Sequence, residues 1–217
     1  MSTAYDAVVF DLDGTLVDSV AGIGLAMNEA LDDLGLPPHP LEAYPGFVGS
    51  GARVLAERAL AGVDPKRVEE ALGRFLARYE TNLLRSTQLY PGIGALLREL
   101  QTRGLGLAVL SNKPHPLTEH MVKQLLGDVP WRKVWGHRPD VFPKKPDPAS
   151  TVALLAAENW SAARSIFVGD TGIDIDTGRA AGLRPVGVAW GFRGREALRA
   201  HGAETILERP AELLDLL

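Results

Sequence analysis

Short apolar runs alternate with longer amphipathic stretches along this 217-residue chain. The alternation predicts βαβ units around a mostly parallel sheet, an α/β fold of Rossmann-like type. The expected strands are Ala7–Phe10, Leu105–Leu110, Ser165–Val168 and Pro185–Ala189, with Thr205–Leu207 as a weak edge strand. Each is short, apolar or β-branched, and followed by turn chemistry. Helices fill the gaps. Ile23, Met27, Ala30, Leu31 and Leu34 recur at intervals that keep one helical face apolar, and Gly35 with Pro37 stops the run. Asp64 reads as an N-cap with Pro65 at the first helical position. Val68, Ala71, Leu72, Phe75, Leu76 and Tyr79 then form one apolar face. Ile93, Leu96, Leu97 and Leu100 form another, ending near Gly104.

The spacing of these elements is uneven. From Val17 to Tyr90 the pattern is helical, with no strand, and strands return at Leu105. This predicts a helical domain, residues 18–88, inserted into a core made of residues 1–17 and 89–217. Composition narrows the picture by exclusion. The hydrophobic fraction is 46% and the charged fraction 23%, so the chain can build a core and is not disordered. A net charge of −4 argues against a generally basic nucleic-acid-binding surface. There is no Cys, which excludes disulfides, thiolate-bound zinc, iron–sulfur clusters and a Cys nucleophile. No apolar run approaches the roughly 20 residues of a membrane span. Met1 to Phe10 contains no Lys or Arg, unlike the basic start of a secretory signal. A cytoplasmic protein that binds neither membrane nor nucleic acid is therefore expected.

The chemistry is concentrated where strands are expected to end. Asp11-Leu12-Asp13-Gly14-Thr15 follows the first apolar run. In extended chain, residues two apart point the same way, so both carboxylates should project together, roughly 6–7 Å apart along the chain. Ligands of open α/β folds bind at the carboxyl ends of the strands. Two carboxylates there repel unless a proton or cation intervenes. Gly14 allows backbone N–H groups to approach a ligand closely. Ser111-Asn112-Lys113 follows the second apolar run, where a hydroxyl and free N–H groups suit a phosphate oxygen. Lys144-Lys145-Pro146-Asp147-Pro148 supplies a cation beside proline, ahead of a helix. Val168-Gly169-Asp170-Thr171-Gly172-Ile173-Asp174 adds two more carboxylates, one helical turn apart. Several carboxylates on one sheet edge call for Mg²⁺, a hard cation with oxygen ligands.

The order Asp-x-Asp, Ser, Lys, Asp-x-x-x-Asp resembles the haloacid dehalogenase superfamily, in its Mg²⁺-dependent phosphatase branch. That superfamily often inserts a helical cap after the first motif, which matches the helical block. Phe47-Val48-Gly49-Ser50-Gly51-Ala52-Arg53-Val54-Leu55, Leu89-Tyr90-Pro91-Gly92, Ser111-Asn112-Lys113-Pro114 and Val186-Gly187-Val188-Ala189-Trp190-Gly191 resemble the phosphoglycolate phosphatases within it. One segment departs from the pattern. Gly127 to Pro143 carries Trp131, Trp135, His137 and Arg138 where relatives have a Phe and a Gly-rich acidic loop.

The resemblance implies roles. Asp11 would be the nucleophile and Asp13 the acid–base, with Lys145 as the third catalytic residue. Mg²⁺ would be held by Asp11, the backbone carbonyl of Asp13 and Asp170, with Asp174 behind them orienting water or Lys145. Gly14, Thr15, Ser111 and Asn112 would bind the phosphoryl group. Gly49, Gly51 and Arg53 would face the site from the cap, Arg53 as a partner for a substrate carboxylate. The expected substrate is a small phosphorylated metabolite, 2-phosphoglycolate first among them. Another small phosphate or sugar phosphate, a phosphomutase reaction, and a non-catalytic phospho-ligand-binding protein are the alternatives. Monomer and homodimer are both open.

Overall fold

A computed structural model describes residues 5–62 and 65–217. The expected N-cap Asp64 lies outside the described residues. The first strand, β1 (Ala7–Phe10), is wholly buried. β2 (Val17–Asp18) follows, then four helices: α1 (Val20–Asp32), α2 (Tyr44–Phe47), α3 (Ala52–Ala59) and α4 (Arg67–Asn82). β3 (Gln88–Leu89), α5 (Ile93–Thr102), β4 (Gly106–Pro114), α6 (His115–Leu126) and β5 (Lys133–His137) come next. The chain continues through α7 (Ala149–Glu158), β6 (Ser165–Gly169), α8 (Gly172–Ala180), β7 (Arg184–Val188), α9 (Gly194–Ala200) and β8 (Ile206–Leu207).

Six strands form one sheet in the order β5-β4-β1-β6-β7-β8, and each adjacent pair is parallel. β1 lies between β4 and β6, so the chain first extends the sheet to one side of β1 and then to the other. Open α/β sheets bind ligands at this kind of reversal, outside the carboxyl ends of the strands. The strands alternate between two cores. Val8 and Phe10 join Leu97, Leu100 and Met121, whereas Val9, Ala108 and Phe167 join Leu154 and Leu155. Strands covered on both faces read as continuous apolar runs, which is why these were legible in the sequence.

Three features differ from the sequence pattern. β5 lies in the departing segment and was not expected. It is a half-buried edge strand with Lys133, Gly136 and His137, so it lacks an apolar run. A Cβ on Gly136 would come within 2.3 Å of Thr118 Oγ1 and 2.6 Å of His115 Cα, so glycine is what lets α6 pack there. β4 continues past Leu110 to Pro114, and its pairing with β5 shifts register over that stretch. Such a bulge re-aims the side chains it carries. Finally, Val17–Asp18 pairs antiparallel with Gln88–Leu89. The two-residue strands are too short to leave a periodic signal, yet they bring together the two points where the chain enters and leaves the helical segment.

Within that segment the apolar face of α1 packs on α4, which presents Val68, Ala71, Phe75 and Tyr79. Phe75 and Tyr79 stack at 5.3 Å between ring centroids, an i,i+4 pair on one helix face. Asn28 fastens α1 to the chain that follows it. Its Nδ2 donates to the His39 carbonyl at 2.8 Å, and its Oδ1 accepts from His39 N–H at 2.9 Å and Tyr44 O–H at 2.6 Å. Tyr44 is completely buried, so its hydroxyl has no water to fall back on. Asn28→Ala is expected to destabilise the protein by about 2–4 kcal/mol, from these lost hydrogen bonds and the buried hydroxyl left unpaired. Urea unfolding checks this; a midpoint equal to that of the unsubstituted protein would contradict the fastening role.

Candidate active site

Two strand ends and the start of a helix meet at one place. Asp11 directly follows β1, and its N–H donates to the Val168 carbonyl of β6 at 2.9 Å. Asp170 directly follows β6 and is fully buried. Asp174 lies in the first turn of α8. Oxygens from these three carboxylates lie within 4.8 Å of one another. The backbone closes in around Asp170. A Cβ on Gly14 would lie 2.4 Å from Asp170 Oδ2, and one on Gly191 would lie 2.3 Å from the Gly14 carbonyl. Gly14 also has φ +86°, in the region that side chains disfavour. Thr15 Oγ1 and Phe192 N–H donate to Asp170 at 3.4 and 2.8 Å.

One ammonium lies within this acidic set. Lys145 Nζ is 2.8 Å from Asp11 Oδ1 and 2.7 Å from Asp174 Oδ1, with only 3% of its side chain exposed. The second oxygen of Asp174 is also engaged: it accepts from Thr171 N–H at 3.0 Å and Thr171 O–H at 2.7 Å. This reciprocal arrangement caps α8. Asp174 therefore both starts the helix and holds Lys145.

Burial and charge act on these groups in opposite directions. Burial raises the Asp11 carboxyl to about 6, with Lys145 pulling it down and Asp174 pushing it up. Asp170 is raised well above the usual carboxylate range by burial, then by Asp174 and Asp11. Burial alone would lower the Lys145 ammonium, but Asp11 and Asp174 outweigh it and raise it. Three buried carboxylates against one ammonium leave an excess of negative charge that a hard cation would offset. Oxygen donors, closely spaced and otherwise repelling, fit such an ion.

Asp13 does not join the cluster. It lines the same cavity as Asp11, as expected, but a turn begins there, in which Gly14 N–H donates to the Val17 carbonyl at 2.9 Å. The Asp13 carboxylate instead accepts from Ser19 O–H at 2.6 Å and lies 3.0 Å from Lys113 Nζ through each oxygen. Lys113 is a buried residue that sequence reasoning did not assign to the site. Its ammonium also donates to Tyr79 O–H of α4 at 2.6 Å. The Ser-Asn-Lys string was visible, but the β4 bulge that aims Lys113 was not.

Asp11, Asp13, Gly49, Gly51, Ser111 and Asn112 all line one small cavity of about 50 Å³. Asn112 joins two of its walls. Its Nδ2 donates to the Gly49 and Lys145 carbonyls at 3.2 and 3.1 Å, and its Oδ1 accepts from Lys145 N–H at 2.9 Å. Lys144 Nζ donates to the Ser50 carbonyl at 3.3 Å, and Arg193 to the carbonyls of Gly46 and Val48. The core thus grips this loop through its backbone, while Gly49 and Gly51 have φ of +109° and +91°. Arg53 does not face the cavity as expected. It is half exposed on α3 and pairs with Glu69 on α4, because the helix turns it away from the loop.

The carboxylate cluster generates a sign-specific expectation. Asp11 moves from an ordinary 3.8 to about 6, so between those values the folded protein binds more protons than the unfolded chain. Its contribution to stability is greatest below about pH 4 and declines as pH rises through about 6. A divalent cation should oppose that decline, so Mg²⁺ should raise the Tm more at about pH 7.5 than at about pH 5. Asp170→Asn should raise the metal-free Tm at the higher pH and remove most of the Mg²⁺ effect. Thermal unfolding with and without Mg²⁺ checks both; an equal Mg²⁺ gain in the variant would rule out Asp170 as a ligand.

Comparison with known proteins places this geometry. A family model described as haloacid dehalogenase-like hydrolase matches residues 8–188. A phosphoglycolate phosphatase of Pseudomonas putida is 37% identical over 216 residues, covering 96% of this chain and 75% of that protein. One from Pectobacterium atrosepticum is 35% identical, covering 99% of this chain and 93% of that protein. Among solved structures, a haloacid dehalogenase-like family hydrolase of Streptococcus pneumoniae superposes with a TM-score of 0.88 at 26% identity, covering 98% of each chain. The family match, the relatives and the shared architecture agree: this chain belongs to the haloacid dehalogenase-like hydrolase family and is a phosphoric monoester hydrolase.

Proposed function

We propose that the protein is a Mg²⁺-dependent phosphatase that hydrolyses 2-phosphoglycolate to glycolate and phosphate through an aspartyl-phosphate on Asp11. The observation that carries this reading is the separation of two carboxylates two residues apart. Asp11 lies against Lys145 within the acidic cluster, whereas Asp13 lies outside it on Lys113 and Ser19. Neighbouring carboxylates in different surroundings can take different roles. The curated relatives named above support the substrate, and the small cavity suits a short ester.

A carboxylate oxygen of Asp11 attacks phosphorus as the ester P–O bond breaks. Asp13, protonated, gives its proton to the departing alkoxide, which is otherwise a poor leaving group. Asp13 then takes a proton from water, whose oxygen attacks phosphorus and releases Asp11 and inorganic phosphate. Ser111, the N–H of Asn112 and Lys145 gather the charge on the phosphoryl oxygens, with Gly14 and Thr15 completing the turn beneath them. Mg²⁺, held by Asp11, Asp170 and the backbone carbonyl of Asp13, would add positive charge at the same oxygens. Asp174 holds Lys145 in place. We assign residues 18–88 to a cap over a core of 1–17 and 89–217, supported by the β2–β3 pair at the crossing points. No helix among the described residues is long and apolar enough to cross a membrane, and we assign the enzyme to the cytoplasm.

A phosphate-release assay tests the reading. The protein with Mg²⁺ should release phosphate from 2-phosphoglycolate, lose this activity on chelation and regain it on adding Mg²⁺. Asp11→Asn should be folded and inactive, and Asp13→Asn should lower kcat by about 10²–10⁴-fold. Retained turnover in a folded Asp11→Asn protein would refute the nucleophile assignment. Phosphate release from other small monoesters but none from 2-phosphoglycolate would refute the substrate.

A further inference from the structure

The mechanism above leaves one buried charge in the cavity without a function. Lys113 is the only cation among the described residues that line it. The helical segment contributes apolar lining to the same cavity, with Ile23, Val48, Leu55 and Phe75. The residue is 6% exposed, and its ammonium sits 4.4 Å from the centroid of the Tyr79 ring. A buried ammonium is costly to maintain, and a methionine or leucine would fill the same wall more cheaply. Burial pushes the Lys113 ammonium down and Asp13 pushes it up.

The position of Lys113 relative to Ser111 is informative. Both lie on the bulged end of β4, two residues apart, and both line the cavity. The Lys113 N–H donates to Ser111 Oγ at 3.3 Å, so the residue carrying the ammonium is tied to the hydroxyl assigned to the phosphoryl group. Arg53, the other candidate for an anionic tail, faces solvent and Glu69. Among the described residues that line this cavity, Lys113 is therefore the one positive charge such a tail would meet.

We infer that Lys113 is the specificity-determining residue, its ammonium receiving a carboxylate on the alcohol portion of the phosphate ester. The inference rests on the phosphatase reading and deepens it. An ammonium carries three protons. Its contacts are both Asp13 oxygens, at 3.0 Å each, and the Tyr79 hydroxyl at 2.6 Å, so an incoming carboxylate would take over the proton that the second Asp13 oxygen shares. Tyr79 comes from α4, so the helical segment helps to aim the cation that selects the substrate.

The test compares kcat/KM for 2-phosphoglycolate with that for ethyl phosphate, which lacks the carboxylate. Lys113→Gln keeps a donor toward Asp13 and removes the charge. Both rates should fall, because Asp13 loses its ionic partner, but their ratio should fall by a further ~10–100-fold. An equal loss on both esters would overturn the inference and leave Lys113 as a positioning residue for Asp13. If Lys113→Gln does not fold, Tyr79→Phe keeps the ring on Phe75 and removes the phenol oxygen. Its ratio should then fall about threefold or more, and an unchanged ratio would overturn the inference. Should the unsubstituted enzyme hydrolyse other monoesters but not 2-phosphoglycolate, the substrate assignment fails alone. Lys113 is then judged by the same ratio for 3-phosphoglycerate against glycerol 3-phosphate.

Discussion

The ammonium of Lys145 between Asp11 and Asp174 is the interaction on which the site depends. Three carboxylates brought out of water at one sheet edge repel each other and resist ionisation. Without a cation among them, the ends of β1 and β6 could not hold ionised side chains so close. Lys145 is itself tied down through its backbone, by Asn112 on β4. Asp174 is tied down by capping α8. The charge pairing is therefore anchored to the strand and helix that follow from the fold, rather than to flexible side chains alone. Holding a group rigidly in this way reduces the reorganisation needed when charge moves during reaction.

The same logic explains the glycines around Asp170. A carboxylate with no exposed surface needs donors close by, and here the chain packs against Asp170 where a Cβ would clash. Gly14 and Gly191 provide that approach from two different loops, and Phe192 N–H is one donor it brings in. Close approach also leaves little room for alternative arrangements. The cost is a site that is electrostatically strained without a cation, a common condition where function rather than stability sets the residue choice.

Legibility in the sequence followed the physical range of each signal. β1, β6 and β7 are covered on both faces, so their apolar runs announced them to within a residue. The clustering of Asp11, Asp170 and Asp174 could be read locally, because the first two directly follow strands and the third opens the next helix. β5 was missed because an edge strand with Gly136 at its contact with α6 has no apolar run to display. The role of Lys113 depends on a register shift in β4 and on Tyr79, 34 residues away. Arg53 was expected at the cavity from the family resemblance of the 47–55 stretch. A loop and the helix that follows it need not present side chains in the same direction, and Glu69 on α4 supplied the nearer partner.

The two lysines divide the site's electrostatics. Lys145 neutralises the cluster that contains Asp11, and Lys113 neutralises Asp13 outside it. A single shared cation would place the two carboxylates in one coupled system, in which protonating one changes the other. Here each carboxylate has its own lysine, although Asp13 still pushes the Asp11 carboxyl up. The anchoring differs as well. Lys145 is fixed wholly within the sheet-edge elements, whereas Lys113 reaches Tyr79 on α4. Displacement of α4 would thus leave the Asp11 cluster intact and disturb the surroundings of Asp13. The helical segment is coupled to Asp13 more directly than to Asp11, and that asymmetry follows from which lysine has a partner across the cavity.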